Sequence, residues 1–418
     1  QSMVQMDVGG LPSSSNEEFF ADGLESVHLK FVGNADEIDA APEYAPEYVY
    51  QHFGDDEKIF GYKNLSVTLV YSEASMKILP LIKYDKKINE QKEGVKADDI
   101  MVLLKAQLPE EQMNMQVESL DQFRAILAKE DAFKPYGELV SKFAIGENRF
   151  ELYKVDESSP EFDKYLTRVQ TLALFYINAA EYTDNSDPKW MHYFLYRATP
   201  RTDGEKGAHY ALAGYASLYR FYAYPQNTRP RIAHMLVLPQ FRGSGTGASL
   251  LQRIYGDLRT YKEIIDVTIE DPADACIFVR DYVDCINCAK LPEFAPDKLK
   301  LGFSSDMAKA ANDKLKMNKR QVRRVYEILR LRATDKKDPA AMKAYRIDVK
   351  RRLDLPMRRN DKDWKKIRAA LDPEEVKQVA ATQLSPEDRM QQLQQLYEKE
   401  TEAYFKTIGR MDTYPKIA

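Results

Sequence analysis

The sequence predicts an α+β protein with a mixed, mainly antiparallel sheet and flanking helices. Three aromatic and β-branched runs, at 191–197, 210–224 and 231–238, are separated by turn residues and indicate an antiparallel meander. A glycine-rich loop follows this meander and leads into a helical stretch at 248–261. From residue 296 onward no stretch has the pattern of a strand, so the last part of the chain is expected to be helical.

The remaining elements follow from periodicity and from start and stop signals. Further strands are expected at 27–32, 64–71, 149–155 and 264–270. Helices before residue 296 are expected at 98–108, 119–132, 160–182 and 273–288. The C-terminal helices are expected at 297–313, 318–334, 339–354, 361–370 and 386–408.

This order of elements divides the chain into four segments. Residues 1–18 are mostly small and polar and are expected to be poorly ordered or vector-derived. An N-terminal α/β domain is expected at 19–135, and a core domain with the meander and the glycine loop at 136–295. A C-terminal helical domain is expected at 296–418.

Charge is distributed unevenly along the 418 residues. The net charge is −4, yet residues 314–368 hold 21 lysines and arginines against seven acidic residues. The acidic remainder suits a basic substrate by electrostatic steering. We interpret the basic segment as a solvated helical face, and direct contact with nucleic acid is not expected. No stretch is long and apolar enough to predict a membrane span.

Cysteine usage indicates a reducing compartment, because the chain has three cysteines in all. Cys285 and Cys288 have the spacing of half a zinc site, but no second pair of ligands lies near them in the sequence. Two thiols on one helix are the simpler interpretation, and no metal site is expected.

The glycine-rich loop carries the main functional signal. An apolar strand that includes Met235, Leu236 and Val237 runs into the loop, which is then followed by a helix. Glycines allow positive φ and a close approach of the backbone to a pyrophosphate, and the amides at the helix start attract anions. The loop consists of Arg242, Gly243, Ser244, Gly245, Thr246, Gly247 and Ala248.

Three interpretations fit this loop. Gly243-x-Gly245-x-x-Ala248 satisfies a relaxed dinucleotide fingerprint of NAD(P)-dependent oxidoreductases, with Glu270 at a suitable distance beyond it. Arg242-x-x-Gly245-x-Gly247 matches the coenzyme A pyrophosphate loop of the GCN5-related N-acetyltransferases. A purely structural turn is the third. A dinucleotide fold opens with its motif and adds further βα units, whereas here a meander precedes the loop, so the acetyltransferase core is favoured.

Two carboxylates end the strand expected at 264–270. Glu270 and Asp271 should face opposite ways because side chains alternate along a strand. Acyl transfer to lysine needs an amine that has lost its proton, although the reference pKa of that amine is about 10.4. A carboxylate whose pKa is raised by burial is a reasonable proton acceptor. Glu270 is therefore the candidate base, and the alternative is an acid that caps the following helix.

Beyond the loop, the chain resembles the type B histone acetyltransferase catalytic subunit family. The resemblance spans about residues 25–370. Apart from the glycine loop, the matching stretches are FGDDE at 53–57, FGYK at 60–63, YAYP at 222–225, TRPR at 228–231, EDP at 270–272, LGF at 301–303, RRVYEILR at 323–330 and YRIDVKRRL at 345–353.

The resemblance implies acetyl-CoA as cofactor and the tail of newly made histone H4 as substrate, with action in nucleus and cytoplasm. It also implies a WD40-repeat histone-binding chaperone as partner. Met235 to Val237 would hold the cofactor through backbone groups, Arg242 to Ala248 would hold its pyrophosphate, and Tyr282 would lie beside it. Glu270 falls on the family's base. The stretches that would line the tail contain Asp55, Asp56 and Glu57, and Tyr219, Arg220 and Phe221.

The sequence departs from the family pattern in two places. Asn178 stands where the family has a further acidic residue, and Glu181 lies about one helical turn away. The amphipathic helix that helps the family to hold its chaperone is weak or missing before Glu17. A catalytically weak histone-binding subunit of the same fold therefore remains an alternative to the active enzyme.

Overall fold

The computed structural model describes residues 17–106, 117, 119–201, 207–357, 365–366, 369–372, 374–375 and 385–417. The segment expected to be poorly ordered or vector-derived lies outside this range except for Glu17 and Glu18, which start a short 3₁₀ turn. The chain forms two compact units. The first comprises Gln1–Arg220 and Ile232–Leu250, and the second comprises Phe221–Arg231 and Leu251–Ala418.

The N-terminal part of the first unit is built on a three-stranded sheet. Strand β2 lies parallel to β5, and β5 lies antiparallel to β6. Val32, Val70 and Leu79 on these strands pack with Phe123 and Leu127 in one apolar core. The strands here are β1 (Phe20–Asp22), β2 (Val27–Val32), β3 (Lys58–Phe60), β4 (Tyr62–Lys63), β5 (Ser66–Ser72), β6 (Ile78–Lys83) and β7 (Lys86–Lys87). The helices are α1 (Gly23–Ser26), α2 (Glu37–Ala40), α3 (Tyr50–Phe53), α4 (Glu90–Glu93), α5 (Ile100–Ala106) and α6 (Leu120–Leu127).

The predicted meander is confirmed as part of a larger sheet. Its strands are β8 (Glu138–Ile145), β9 (Asn148–Val155), β10 (Trp190–Pro200), β11 (Ala208–Ala223), β12 (Asn227–Val237) and β13 (Thr268–Ile269). They follow the order β13-β12-β11-β10-β9-β8, and β8 to β11 pair antiparallel. A bulge at Ala213 shifts the register of β11 against β10. The prediction of a mixed, mainly antiparallel α+β protein is therefore correct.

Helix α7 (Pro160–Ala173) is shorter than the helix predicted at 160–182. The Phe175 carbonyl accepts hydrogen bonds from the amides of Glu47 and Tyr48, at 2.8 and 3.1 Å. Ala179 then adopts a φ of +52°, which does not continue a right-handed helix. The prediction was wrong after Ala173 because contacts distant in sequence replace the helical hydrogen bonds.

The second unit is largely helical. Its helices are α8 (Thr246–Leu258, which starts in the first unit), α9 (Asp274–Cys288), α10 (Pro296–Leu301), α11 (Ser305–Leu315), α12 (Lys319–Ala333), α13 (Pro339–Asp354) and α14 (Pro386–Thr413). The single helix predicted at 297–313 is wrong, because Gly302 has a φ of +111° and Ser304 caps a new helix. Of the helix predicted at 361–370, only 365–366 and 369–370 are described, and these are helical.

The strand predicted at 264–270 is mostly absent. Only β13 joins the sheet, apart from a single bridge between Ile264 and Thr228. The Val267 amide donates instead to the Lys316 carbonyl at 2.9 Å, and the Ile265 carbonyl accepts from the Asn312 side chain at 2.9 Å. The helical part of the unit thus takes the hydrogen bonds that a longer strand would have used.

Many arginines of the basic segment lie in internal ion pairs rather than on a solvated face. Glu327 is fully buried and accepts from Arg323 and from both Nε and Nη2 of Arg352, at 2.8–2.9 Å. Its Oε2 also accepts from the Tyr404 hydroxyl at 2.9 Å. The interpretation as a solvated face is therefore wrong for these residues. No helix of the described residues is long and apolar enough to cross a membrane.

Candidate active site

The glycine loop connects β12 to α8 with the backbone geometry that the sequence predicts. Gly243 and Gly245 have φ values of +82° and +94°, where any other L-residue is strained. A Cβ atom at either position would meet no atom within 4 Å, so open space surrounds both glycines. The loop therefore leaves room for a ligand to approach its backbone.

The first turn of α8 follows directly on these glycines. The Ser249 amide donates to the Gly245 carbonyl at 3.0 Å, which is the first helical hydrogen bond. The amides of the first four residues of a helix have no acceptor within that helix. Thr246 and Ala248 are buried, so their side chains anchor the helix start in the protein. Ser244 and Thr246 share a hydrogen bond between their hydroxyls at 2.9 Å, which stiffens the loop.

Arg242 is fixed by contacts within the first unit. Its Nε donates to the Val237 carbonyl at 2.9 Å, and its Nη1 donates to Glu47 Oε1 at 2.7 Å. The guanidinium also lies over the Tyr176 ring, 4.8 Å from the centroid. The side chain is 41% exposed. Arg242 thus clamps the end of β12 to the segment around Glu47 and is not a freely mobile cation.

The end of β12 is closely packed on one side. Gly214 on the neighbouring strand lies so near that an added Cβ would be 2.8 Å from the Leu236 carbonyl oxygen. The side chain of Leu236 is buried, whereas Met235 and Val237 are partly exposed. The Leu238 amide donates a hydrogen bond to the carbonyl of Ala213, the bulged residue, at 3.0 Å. Any side chain at position 214 would displace the strand end that carries Met235 to Val237.

Glu270 lies just after β13 in the second unit, opposite Arg231. The distance from Arg231 Nη1 to Glu270 Oε1 is 3.7 Å, and the guanidinium lies 4.6 Å from the centre of the Phe221 ring. Arg231 thereby connects the predicted base to a residue predicted to bind substrate. The Glu270 side chain is 50% exposed, so the burial expected for the base is absent. Alternation along a strand does not apply here, because β13 ends at Ile269 and Asp271 has a φ of +29°.

The three acids near the N-terminus have different environments. Asp55 and Asp56 are exposed at the turn after α3. Glu57 turns back, and its Oε1 accepts from the amides of Val49 and Tyr50, both at 3.2 Å. Its φ is +52°. Glu57 therefore caps the start of α3, whereas the two aspartates are left with their charge in solvent.

Tyr219 and Arg220 at the end of β11 contact the loop before β10. The Tyr219 hydroxyl donates to Asp187 Oδ2 at 2.7 Å, and its ring meets Trp190 at 5.1 Å between centroids. Arg220 Nη2 donates to the Pro188 carbonyl at 2.6 Å. The next residue, Phe221, is 39% exposed. This stretch thus offers an aromatic surface, while the cation of Arg220 is bound to backbone.

Tyr282 on α9 is almost fully buried within the second unit. Its hydroxyl donates to the Tyr414 carbonyl at 2.7 Å, and the Arg410 guanidinium lies 4.7 Å from the centre of its ring. The C-terminal end of the described chain therefore packs against this side chain. Cys285 and Cys288 are buried on the same helix as free thiols, and burial raises the pKa of each. No cluster of three or more possible metal ligands occurs among the described residues.

Comparison with known proteins identifies the family. The family described as histone acetyl transferase HAT1 N-terminus matches residues 19–178, and the C-terminal part of the type B catalytic subunit matches residues 280–331. The histone acetyltransferase type B catalytic subunit of Homo sapiens is 35% identical over 394 residues, which cover 92% of both chains. Its namesake from Cryptococcus neoformans var. neoformans is 28% identical over 377 residues, covering 81% of this chain and 89% of that protein.

The chain belongs to the type B histone acetyltransferase catalytic subunit family. The resemblance inferred from the motifs is thereby confirmed, and the chain is an acyltransferase of the histone acetyltransferase class. This family implies an acyl-CoA as donor. This family assignment excludes the alternative interpretation of the chain as an NAD(P)-dependent oxidoreductase.

The position of the missing acid in this type B family member is occupied by a hydrogen-bonded amide. Asn178 Oδ1 accepts from the Tyr50 hydroxyl at 2.9 Å, and that hydroxyl also accepts from the Ala179 amide at 2.8 Å. Glu181 is exposed. Asn178 thus holds the segment after α7 against α3. This contact needs only a hydrogen-bond acceptor, so a neutral amide is sufficient for it.

Two residues with roles at the site were missed by sequence reasoning. Glu47 fixes Arg242 from 195 residues away, and no local spacing indicates such a pair. Arg231 lies within the TRPR stretch at 228–231. This stretch contributes to the family resemblance, but nothing in it indicates that the arginine contacts the predicted base. Arg231 comes near Glu270 only because β12 pairs with β13, and the sequence alone does not reveal this pairing.

Proposed function

We propose that the chain transfers an acetyl group from acetyl-CoA to the ε-amine of lysines in the tail of newly synthesised histone H4. The observation that carries this proposal is the open backbone of the loop at Gly243 and Gly245, which leads directly into the first turn of α8. We propose that the fold is a GCN5-related N-acetyltransferase core at 136–295. An N-terminal α/β domain at 19–135 and a C-terminal helical domain at 296–418 would flank it.

The loop fits the pyrophosphate of coenzyme A. Amides at the helix start attract an anion, and glycines at positive φ allow a close approach. Bound acetyl-CoA supplies the acetyl group as a thioester. We propose that the residues from Arg242 to Ala248 hold its pyrophosphate and that backbone groups of Met235, Leu236 and Val237 hold its pantetheine arm. Tyr282 is proposed to lie beside the cofactor, and because this side chain is buried and bound to the Tyr414 carbonyl, a direct contact requires the C-terminal end of the described chain to move. Since Arg242 is already engaged by Glu47, we assign it mainly to positioning the loop.

Glu270 is proposed as the general base for direct attack by the lysine amine. Its exposed carboxylate is open to a proton from the amine, directly or through one water. Arg231, 3.7 Å away and stacked on Phe221, would fix the orientation of that carboxylate. Asp271 is the second candidate, and its φ of +29° directs it differently from a regular strand residue. The charge of Asp271 would then act on substrate binding more than on proton transfer.

The histone tail is proposed to contact two stretches of the chain. Asp55, Asp56 and Glu57 supply negative charge for a tail rich in lysine and arginine. Tyr219, Arg220 and Phe221 form the second stretch, of which the aromatic side chains are the accessible part for an extended peptide. Of the acids, Asp55 and Asp56 carry the electrostatic attraction in this proposal, because Glu57 is engaged in capping α3.

A WD40-repeat histone-binding chaperone is proposed as partner, and action on histones implies work in the nucleus. Newly made histones are synthesised outside the nucleus, so we propose that the protein also acts in the cytoplasm. The segment before Glu17, where the family has its chaperone-binding helix, lies outside the described residues. Co-purification of the chaperone with the full chain tests this partner separately from catalysis.

Mass spectrometry of a histone H4 tail peptide incubated with the protein and acetyl-CoA tests the proposed reaction. We expect a mass increase of one acetyl group on lysine, and fragment ions identify which lysine carries it. Gly245→Asp and Glu270→Gln should each reduce this product. Peptide binding without any acetylation would instead support the catalytically weak histone-binding subunit.

A further inference from the structure

The backbone just before β13 is held by the helical part of the second unit. The Ile265 carbonyl accepts a hydrogen bond from the Asn312 side chain, and the Val267 amide donates one to the Lys316 carbonyl, both at 2.9 Å. Since β13 is only two residues long, these contacts help to determine where the residues after it lie. The first residue after β13 is Glu270, the proposed base.

Arg280 on α9 adds a third contact to this segment. Its Nη2 donates to the Val267 carbonyl at 3.2 Å. The side chain is 12% exposed, and its Nε lies 3.6 Å from Asp284 Oδ2, one helical turn further along α9. A guanidinium carries its donors in a fixed planar arrangement, so different nitrogens of one arginine contact the carboxylate and the carbonyl together. Arg280 thus connects the segment before the proposed base to α9.

Asp284 anchors this arginine. Its side chain is 1% exposed, and its Oδ2 also accepts from Gln321 Nε2 at 3.0 Å. Burial raises the pKa of Asp284 to about 6, although the positive charge of Arg280 acts in the opposite direction. At neutral pH the carboxylate is therefore ionised. A buried charge without its partner is strongly destabilising, so the two side chains are held together.

Glu270 depends on its backbone for its position. Its side chain is 50% exposed, and its Oε1 lies 3.7 Å from Arg231 Nη1, which is longer than a normal hydrogen bond. A displacement of about 1 Å at a reacting group can lower the rate by about a hundredfold. The anchor at the Val267 carbonyl therefore bears on the reaction as well as on the fold.

We propose that Arg280 is a positioning residue for the acyl transfer, which sets the place of Glu270 through the Val267 carbonyl and is itself held by Asp284. The proposal rests on the proposed function, since it takes Glu270 as the base. Arg280 touches neither peptide nor cofactor in this scheme, and its effect on the reaction passes through Glu270. Its loss should therefore lower kcat and leave the affinity for coenzyme A unchanged.

A double-mutant cycle between Arg280 and Glu270 tests this coupling in the full chain. Arg280→Lys keeps the charge beside Asp284, but the single nitrogen of lysine cannot serve both acceptors. Its kcat should fall about tenfold or more, as expected for a displaced base. The double variant of Arg280→Lys with Glu270→Gln should have the kcat of Glu270→Gln alone, because both changes act on one proton transfer. Calorimetry should give the same coenzyme A affinity for all three variants and the wild type.

Arg324→Lys is the matched control, because Arg324 forms a partly buried ion pair with Asp281 on the same helix, with 2.8 Å between Nε and Oδ2. Both lysine variants should lower the thermal midpoint. At a temperature at which both remain folded, only Arg280→Lys should lower kcat.

A wild-type kcat in Arg280→Lys, or a further fall in the double variant, would overturn the positioning role. If Glu270→Gln alone is strongly impaired in that case, the proposed base remains in place. Near-normal turnover in Glu270→Gln would instead contradict the base and, with it, the coupling to Arg280. A wild-type protein that does not acetylate the peptide would contradict the proposed function itself.

Discussion

The guanidinium of Arg242 is held by the carboxylate of Glu47, with 2.7 Å between Nη1 and Oε1, across 195 residues of sequence. The same guanidinium binds the Val237 carbonyl and stacks on Tyr176. Three contacts therefore fix the first residue of the glycine loop before any ligand is bound. Preorganisation of this kind reduces the conformational entropy that is lost on binding.

We expect Arg242→Ala to weaken coenzyme A binding at least tenfold, because the clamp on the end of β12 is lost. Glu47→Gln should weaken it less than about fivefold, since exposed ion pairs contribute only about 0.2–1 kcal/mol. The double variant should match Arg242→Ala, because both changes remove one interaction. Calorimetric titration with coenzyme A measures all three. Tighter binding by Glu47→Gln would show that Glu47 competes with the phosphates instead of orienting the arginine.

Gly245→Asp is expected to weaken coenzyme A binding by at least tenfold, or about 1.4 kcal/mol. The change places a side chain and a negative charge in the open space beside the loop, at a φ of +94°. Gly146→Asp is the matched control, since Gly146 has a φ of +58° and equally open surroundings in the turn between β8 and β9. Both variants carry backbone strain, but only the first should change coenzyme affinity. Equal affinities in the two variants would exclude the loop from phosphate binding.

The acids at 55–57 should separate into two functional classes. Asp55→Asn combined with Asp56→Asn should raise the peptide KM and flatten its dependence on salt, because both carboxylates are exposed. Glu57→Ala should instead lower the thermal stability, by about 1–2 kcal/mol, since two amides at the start of α3 lose their acceptor. Steady-state kinetics and thermal unfolding measure the two effects. A peptide KM that is insensitive to Asp55 and Asp56 would limit these residues to the turn.

Local patterns predicted the parts of the fold whose hydrogen bonds are local or between neighbouring strands. The meander and the loop to α8 belong to this class. Two of the errors occur where distant residues take over hydrogen bonds, as Glu47 and Tyr48 do at Phe175 and as Lys316 does at Val267. The break of the helix at Gly302 has a local cause. Strand β8 was missed because it is largely exposed and lacks an apolar alternation.

The candidate site shows the same limit. Glycines at positive φ leave a local signature, so the loop was found from the sequence alone. The partners of its arginine and of Glu270 are side chains on other strands or loops, and only the folded chain brings them near. The sequence also does not show how exposed Glu270 is, and half of its side chain is exposed in the folded chain.

Buried histidines in the first unit should make it sensitive to acid. Burial lowers the pKa of His52 and of His234 to about 4, and that of His192 to about 3. The unfolded chain therefore binds protons first as the pH falls from about 6.5, the ordinary pKa of histidine. The contribution of these neutral histidines to the free energy of unfolding is fully present above this pH and is lost as the pH falls toward 4. Each such histidine costs at most about 2 kcal/mol at pH 5.

His52→Phe should reduce this loss, because the phenyl ring keeps the stacking on Phe175 at 4.6 Å and does not titrate. Thermal midpoints between about pH 7 and pH 5 measure the slope. An identical slope in His52→Phe and the wild type would mean that other groups dominate the acid sensitivity.

Glu270→Gln should lower kcat by at least a hundredfold and leave the affinity for coenzyme A unchanged. The amide keeps the size of the side chain and removes its basicity, and general-base catalysis contributes about a hundredfold to ten-thousandfold. The limb of the pH–rate profile that reports the base should disappear as well. Because Asn178 replaces the family's further acid and is bound to Tyr50, a single carboxylate should control that limb.

Asp271→Asn is the comparison that separates the two neighbouring acids. It should change the peptide KM more than kcat, because we assign Asp271 to substrate binding. Arg231→Lys adds a test of orientation, since lysine retains the charge but cannot both stack on Phe221 and keep the planar guanidinium contact with Glu270. Its kcat should fall between those of the wild type and Glu270→Gln, with coenzyme affinity unchanged. Near-normal turnover in Glu270→Gln would falsify the assignment and make Asp271 or Glu181 the next candidate.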